Sequence, residues 1–234
     1  MVSAVGSQVK SLQVGDHVAL EVGQPCEQCE LCSSGRYNIC REMKFRSSAK
    51  AYPHAQGTLQ EQIIHPAKWS HKYVPYTLQN TYLIPFYSHP GRLPPTVSLE
   101  LGALVEPLSV ALHASDRARL SKGSTVLVFG AGTVGLLCAA ISKVITESRV
   151  VIADIQEERV KFAVENGFAD AAVVVPMKRP ETVEERLAFA REVAEGVKAA
   201  RFAGSGEVVG EVAATYECTG VEGCLQASIY VSDP

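Results

Sequence analysis

The chain has 234 residues, 47% of them hydrophobic and 20% charged, with a formal net charge of −3. This is the balance of a globular protein of one or two domains, long enough to bury a sizeable core. It excludes the basic footprint that nucleic acid or an anionic membrane surface demands, and no apolar run approaches the roughly 18–20 residues of a spanning helix. The opening stretch, "MVSAVGSQVKSLQVGD", lacks the charged-then-apolar order of a secretory leader, so a reducing cytoplasm is the expected compartment.

In chain order, "VGDHVALE" from Val14 to Glu21 predicts a turn at Gly15-Asp16 feeding a short strand. A cysteine-rich loop follows Pro25. "GTLQEQII", Gly57 to Ile64, predicts a strand, and "HPAKWSHK" after it a loop. Tyr73 to Arg92 holds four of the chain's eight tyrosines and three prolines, has no acidic residue or lysine, and follows neither helical nor strand periodicity. A stretch of that length without structure is uncommon inside a compact domain.

"LPPTVSLELGALVEPLSVALHASDRA" then leads from a loop into helical segments, with Pro107 suited to a first helical position. From there strands and helices alternate. Strands are predicted at Ser124–Phe129, Arg149–Asp154, Ala171–Val175 and near Val212–Glu217. Helices are predicted at Thr133–Ile145, Glu157–Asn166, Glu181–Ala200 and from about Val221. Near-continuous apolar strands alternating with helices imply an α/β fold, a parallel sheet covered on both faces.

Four cysteines fall within fifteen residues, as Cys26-x2-Cys29-x2-Cys32-x7-Cys40. Cysteines three apart in a loop can turn their sulfurs to one centre, and a fourth completes a tetrahedron. Zinc held by four thiolates has no open position, which marks a structural site. The alternatives are weaker. A disulfide framework wants an oxidising compartment, a redox pair wants a single CxxC opening a helix, and a nucleic-acid zinc ribbon wants basic neighbours. Cys138, Cys218 and Cys224 lie in apolar contexts and are expected to behave as buried hydrophobes.

"TVLVFGAGTVGLL" carries Gly130-x-Gly132-x-x-Gly135 directly between a predicted strand and helix. Gly130 permits the tight turn and Gly132 a close approach to a pyrophosphate. Gly135 permits close helix packing, and the helix start, with Val134 in its first turn, offers free N–H groups. Asp154 closes the next strand nineteen residues past Gly135, where a carboxylate can accept from both ribose hydroxyls. The same carboxylate would repel a ribose 2′-phosphate, which favours NAD over NADP. Arg159 either covers the adenine face or is a solvated helix charge.

These two features, in this order, resemble the zinc-dependent medium-chain dehydrogenases. "VGDHVALE", "GTLQEQIIHPA" and "GALVEPLSVALHA" are similar to the sorbitol and xylitol dehydrogenase branch, and "VPMKRPETVEERLAFAREVA" is similar to its fungal members. The resemblance implies a partial GroES-like catalytic domain over residues 1–115, with the zinc loop at 26–40 and an atypical insertion at 73–92. An incomplete Rossmann domain is implied over 116–234. It further implies a small polyol substrate, NAD, a structural zinc, a catalytic zinc in the intact enzyme, and assembly into a homo-oligomer. In that branch the catalytic zinc takes a cysteine and a His-Glu pair, all upstream of the cysteine loop, and a further glutamate stands at the zinc water and substrate. Only the last maps here, onto Glu106, which is otherwise a carboxylate favoured at a helix N-terminus.

No cysteine precedes Cys26, and no His-Glu dipeptide occurs. The expectation is therefore an internal part of a longer enzyme, with little activity alone. Its alternatives are a non-catalytic zinc- and NAD-binding fragment, or an alcohol dehydrogenase of the same superfamily. In relatives, text like "HK" runs almost directly into "LPPTVSLE", so residues 73–92 are expected to be a translated retained intron. Sequencing the mature transcript checks this: the main message should lack the codons for Tyr73 to Arg92, and a main form that keeps them sinks the idea.

Overall fold

The computed structural model describes residues 1–46, 52, 54–72 and 97–232. The expectations for Tyr73 to Arg92 lie outside the described residues. The chain divides into two compact units, Met1–Ala103 and Leu104–Pro234.

The first unit is built from short pieces. Gly15, in the left-handed region at φ +92°, turns the chain into β1 (Val18–Leu20). Asp16 fastens that turn by accepting the Gln13 N–H at 2.9 Å and pairing with Lys72 at 2.7 Å. β2 (Gly23–Gln24) pairs antiparallel with β3 (Lys44–Phe45), and the cysteine loop lies between them, with α1 (Glu30–Ser33) and a 3-10 turn at Tyr37–Ile39.

The expected strand at Gly57–Ile64 does not form. Its few apolar residues do not alternate and find no covering layer, and Leu59 and Ile64 stand almost fully in solvent. The partner of β1 is instead β4 (Ser70–Lys72), just after a 3-10 turn at Ala67–Trp69, in the stretch expected to be loop. Backbone pairing there comes with side-chain partners that Gly57–Ile64 lacks: Trp69 packs on Tyr37 and His71 meets Glu21.

The second unit is a doubly wound α/β layer. After α2 (Leu99–Gly102) in the first unit, α3 (Val105–Ala118) enters it. Pro107 is the third residue of α3 rather than the first, still within the opening turn where a missing N–H costs nothing. Then come β5 (Thr125–Phe129), α4 (Thr133–Ile145), β6 (Arg149–Asp154), α5 (Glu157–Glu165), β7 (Ala171–Val174), α6 (Val183–Ala199), β8 (Ala214–Glu217) and α7 (Glu222–Val231). The four strands are parallel, in the order β7-β6-β5-β8.

Strand alternation sorts the core. Val126, Val128, Val150 and Ile152 face α3, α4 and α5, while Leu127, Phe129, Val151 and Ala153 face α6 and α7. Every one of these residues is essentially inaccessible to solvent, which is why the strands read as unbroken apolar runs. α6 starts two residues later than expected because Thr182 caps it. The Thr182 hydroxyl accepts the Glu185 N–H, and Glu185 Oε2 accepts the N–H groups of Thr182 and Glu181, which holds that carboxyl below its usual range. Of the three lone cysteines, Cys138 is buried, but Cys218 and Cys224 are only half-buried, at the margins of the two core faces.

Two glycines set the β5–α4 corner. Gly130 has φ +95°, and a methyl placed on it would lie 3.0 Å from Thr219 Cγ2. A methyl on Gly135 would overlap the carbonyl of Gly130, which is backbone and cannot rotate aside. Gly135→Ala should therefore destabilise the fold by about 1–3 kcal/mol, the cost of overpacking. Gly132→Ala, where a methyl meets open space, should cost clearly less. Guanidinium unfolding midpoints of the two variants check the contrast.

Candidate functional site

The cysteine loop brings its four sulfurs together. Cys29 is the N-cap of α1, Cys32 sits within it, and Cys40 closes the 3-10 turn that follows. Cys29 Sγ lies 3.5 Å from Cys32 Sγ and 4.0 Å from Cys40 Sγ, Cys26 Sγ lies 3.9 Å from Cys32 Sγ, and all four fall within 4.8 Å of one another. A tetrahedral zinc with Zn–S bonds of about 2.3 Å needs sulfurs about 3.8 Å apart, so the donor set and its spacing fit that ion.

The backbone supports thiolates here. Glu27, between Cys26 and Cys29, adopts φ +63°, and the N–H groups of Gln28 and Cys29 bring the Cys26 thiol down to about 7. The Cys26 N–H donates to Cys40 Sγ at 3.4 Å. Burial, then the neighbouring thiols, push Cys32 up to about 12. A divalent cation at the centre reverses that penalty, because a coordinated thiol gives up its proton to the metal.

A brace surrounds the loop. Glu27 pairs with Lys68 at 2.8 Å, and Tyr37 stacks on Trp69 with ring centroids 5.4 Å apart. Glu21 Oε2 meets His71 Nε2 at 3.2 Å, and burial together with Glu21 raises the Tyr37 phenol. None of Lys68, Trp69 or His71 stood out in the sequence, because "HPAKWSHK" has no periodic pattern. The signal was the Trp itself, the only one in the chain, within a polar stretch.

In the second unit Gly132 is the N-cap of α4, and its side open to solvent is where a ligand can reach the backbone. Val134 is partly exposed in the first turn beside it. Asp154, at the end of β6, holds the turn from the flank. Its Oδ2 accepts the Ala131 N–H at 2.8 Å and its Oδ1 the Gln156 N–H at 2.9 Å. A carboxylate has about four acceptor sites, so capacity for sugar hydroxyls remains. Arg159 is exposed on the first turn of α5, and Glu106 is exposed on the first turn of α3.

Sequence reasoning missed the far wall of this turn. Thr219 and the Cys218 carbonyl press on Gly130 from just past the end of β8, in the short gap between the predicted strand and helix. A separate cleft of about 370 Å³ lies beside the β7–α6 connection, lined by Lys178, Phe189 and Glu192 among others. It is internally neutralised, since Lys178 Nζ lies 2.6 Å from both carboxylate oxygens of Glu192.

Residues 1–76 match the family model described as the alcohol dehydrogenase GroES-like domain. The chain is 42% identical over 182 residues to the "Probable D-xylulose reductase A" of Emericella nidulans, covering 78% of this chain and 44% of that protein. It is 36% identical to the protein of the same name in Arthroderma otae over 234 residues, covering 100% of this chain and 54% of the relative. The chain thus spans about half the length of the curated relatives it matches. Among solved structures it is similar to L-idonate 5-dehydrogenase of Escherichia coli, with a TM-score of 0.66 at 21% identity, covering 97% of this chain and 53% of that one. Four sulfurs gathered in one loop, a glycine turn on a doubly wound sheet and these fungal relatives converge: the first 76 residues carry the alcohol dehydrogenase GroES-like domain, and the chain along its length is similar to fungal D-xylulose reductases.

Proposed function

We propose that this chain is the structural-zinc and dinucleotide-binding part of an NAD-dependent polyol dehydrogenase. The observation that carries the dinucleotide reading is the β5–α4 corner, where Gly130 and Gly135 are demanded by internal contacts but Gly132 faces open space at a helix N-terminus. A pyrophosphate there meets unsatisfied N–H groups and the positive end of α4. Gly130, Gly132, Val134 and Gly135 form the cradle, Asp154 accepts from the adenosine ribose, and Arg159 lies over the adenine.

Cys26, Cys29, Cys32 and Cys40 hold one zinc, which supplies folding energy rather than chemistry because four thiolates leave it no open position. In the whole enzyme a second zinc would supply Lewis acidity at the substrate hydroxyl, and NAD would supply the hydride acceptor. The described residues do not form that second site. No cysteine precedes Cys26 and no His-Glu dipeptide occurs. Among the described residues the cysteine cluster is the only group of three or more metal-ligating side chains. Glu106 is the one residue here assigned to the substrate side.

The substrate class is a small polyol oxidised at a secondary hydroxyl, of the xylitol or sorbitol kind. The names of the fungal relatives and the "EPLSVALHA" string around Glu106 support it. We assign residues 1–115 to a partial GroES-like catalytic domain and 116–234 to a partial Rossmann domain, within a cytoplasmic enzyme whose intact form is a homo-oligomer. Neither nucleic acid nor membrane is a partner, in keeping with the net charge of −3. Among the described residues, no helix is long and apolar enough to cross a membrane.

Metal analysis of the purified chain should find one zinc, lost in Cys40→Ser; two per chain would reveal a catalytic site that this reading denies. NADH should bind at least about tenfold more tightly than NADPH, since Asp154 repels a 2′-phosphate. Calorimetric titration measures both. Steady NAD reduction with xylitol or sorbitol by the chain alone should be absent, and sustained turnover would overturn its assignment as the non-catalytic part.

A further inference from the structure

The order of strand addition reverses between β5 and β8, and in open α/β sheets ligands bind in the crevice beyond the strand ends at such a switch point. One wall of this crevice is the glycine turn. The other is the turn between β8 and α7, which begins at Glu217.

The two walls touch. The Cys218 N–H donates to the Phe129 carbonyl at 2.9 Å, the last rung between the strands. A methyl placed on Gly130 would lie 3.0 Å from Thr219 Cγ2 and 3.3 Å from the Cys218 carbonyl, so the second wall rests directly on the first. What holds that wall in shape is the side chain of Glu217, folded back over its own turn. Its Oε1 accepts the Thr219 N–H at 2.8 Å and also the Thr219 hydroxyl, and its Oε2 accepts the Gly220 N–H at 3.0 Å. The Thr219 oxygen passes the constraint on, accepting the Val221 N–H at 3.0 Å just before α7 begins. Gly220, at φ +70°, supplies the left-handed residue that this tight return needs.

We infer that Glu217 is a positioning residue for the dinucleotide: its carboxylate fixes Thr219 against Gly130 and so fixes the cradle that receives the pyrophosphate. The inference rests on the dinucleotide reading proposed above. Hydrogen bonds to a charged group are worth more than neutral ones, and here the donors all come from the turn being held. The electrostatic direction gives the idea a sharp edge. A carboxylate beside a diphosphate repels it, so deleting the charge should by itself tighten binding. Loss of binding on deletion, at unchanged stability, then comes from lost geometry rather than lost charge.

The test is calorimetric titration of the full chain with ADP-ribose, which carries the pyrophosphate and both sugars but no nicotinamide. Glu217→Gln keeps the size but turns an N–H donor toward the Gly220 N–H, and it should weaken ADP-ribose about tenfold. Thr219→Val keeps the methyl contact but loses the hydroxyl, and it should weaken binding in the same direction. Thr219→Ser keeps the hydroxyl and should bind close to the parent. Glu222→Gln removes one charge from the start of α7, where Glu222 Oε1 accepts the Gln226 side-chain N–H at 2.9 Å, and should not weaken binding. Melting temperatures are read in parallel. Weaker binding by Glu217→Gln at an unchanged melting temperature supports the inference. Unchanged or tighter binding overturns it, as does a loss that merely follows a lowered melting temperature, which would make Glu217 a stabiliser only. If the parent chain itself fails to bind ADP-ribose, the dinucleotide reading falls, and this inference with it.

Discussion

The contact between the α-carbon of Gly135 and the carbonyl of Gly130 decides how closely α4 can lie on β5. A side chain at Gly135 would meet that carbonyl head-on, and the Val128 side chain waits just behind it at 3.3 Å. Close packing sets the first turn of α4, with its N-cap Gly132, right after the end of β5. The strand interior, Val126 and Val128, is then sealed by Cys138 and Ala139 of the same helix. Core and site thus share one steric condition, and a single missing methyl serves both.

Around that corner the protein places an acid on either side of the proposed dinucleotide site. Asp154 stands at the end of β6 and Glu217 at the end of β8, one on each side of the glycine turn. Each is satisfied by N–H groups of the chain itself, through Ala131 and Gln156 in one case and Thr219 and Gly220 in the other. Their charge is thereby drawn toward the backbone, and they act as clamps on the loops that line the crevice. The cysteine loop follows the same logic with different atoms, since main-chain N–H groups are pointed at Cys26 and Cys40 before any cation arrives.

The second unit was readable from the sequence because its physics is periodic. A strand buried on both faces must be apolar throughout, and "TVLVF" and "RVVIAD" show it; α4 and β6 run over the residues expected of them. The first unit has no such rhythm. Strands of two or three residues leave no pattern, so "LQEQII" drew attention that belonged to Ser70–Lys72, whose role is set by Trp69 and Tyr37 meeting from distant positions. At the sites, cysteines and glycines announced themselves because few other residues could do their work. Glu217 did not, because a carboxylate bonded to its own turn looks in sequence like any acid that ends a strand.

Trp69 is the chain's only tryptophan, and it lies on Tyr37, three residues before Cys40. The second unit contains none. The molecule therefore carries an optical label confined to the first unit, held against the cysteine loop by its packing on Tyr37. Near-ultraviolet excitation past the tyrosine band sees the first unit alone, while far-ultraviolet dichroism is dominated by the helices of the second. The two halves can be watched coming apart separately in one unlabelled sample.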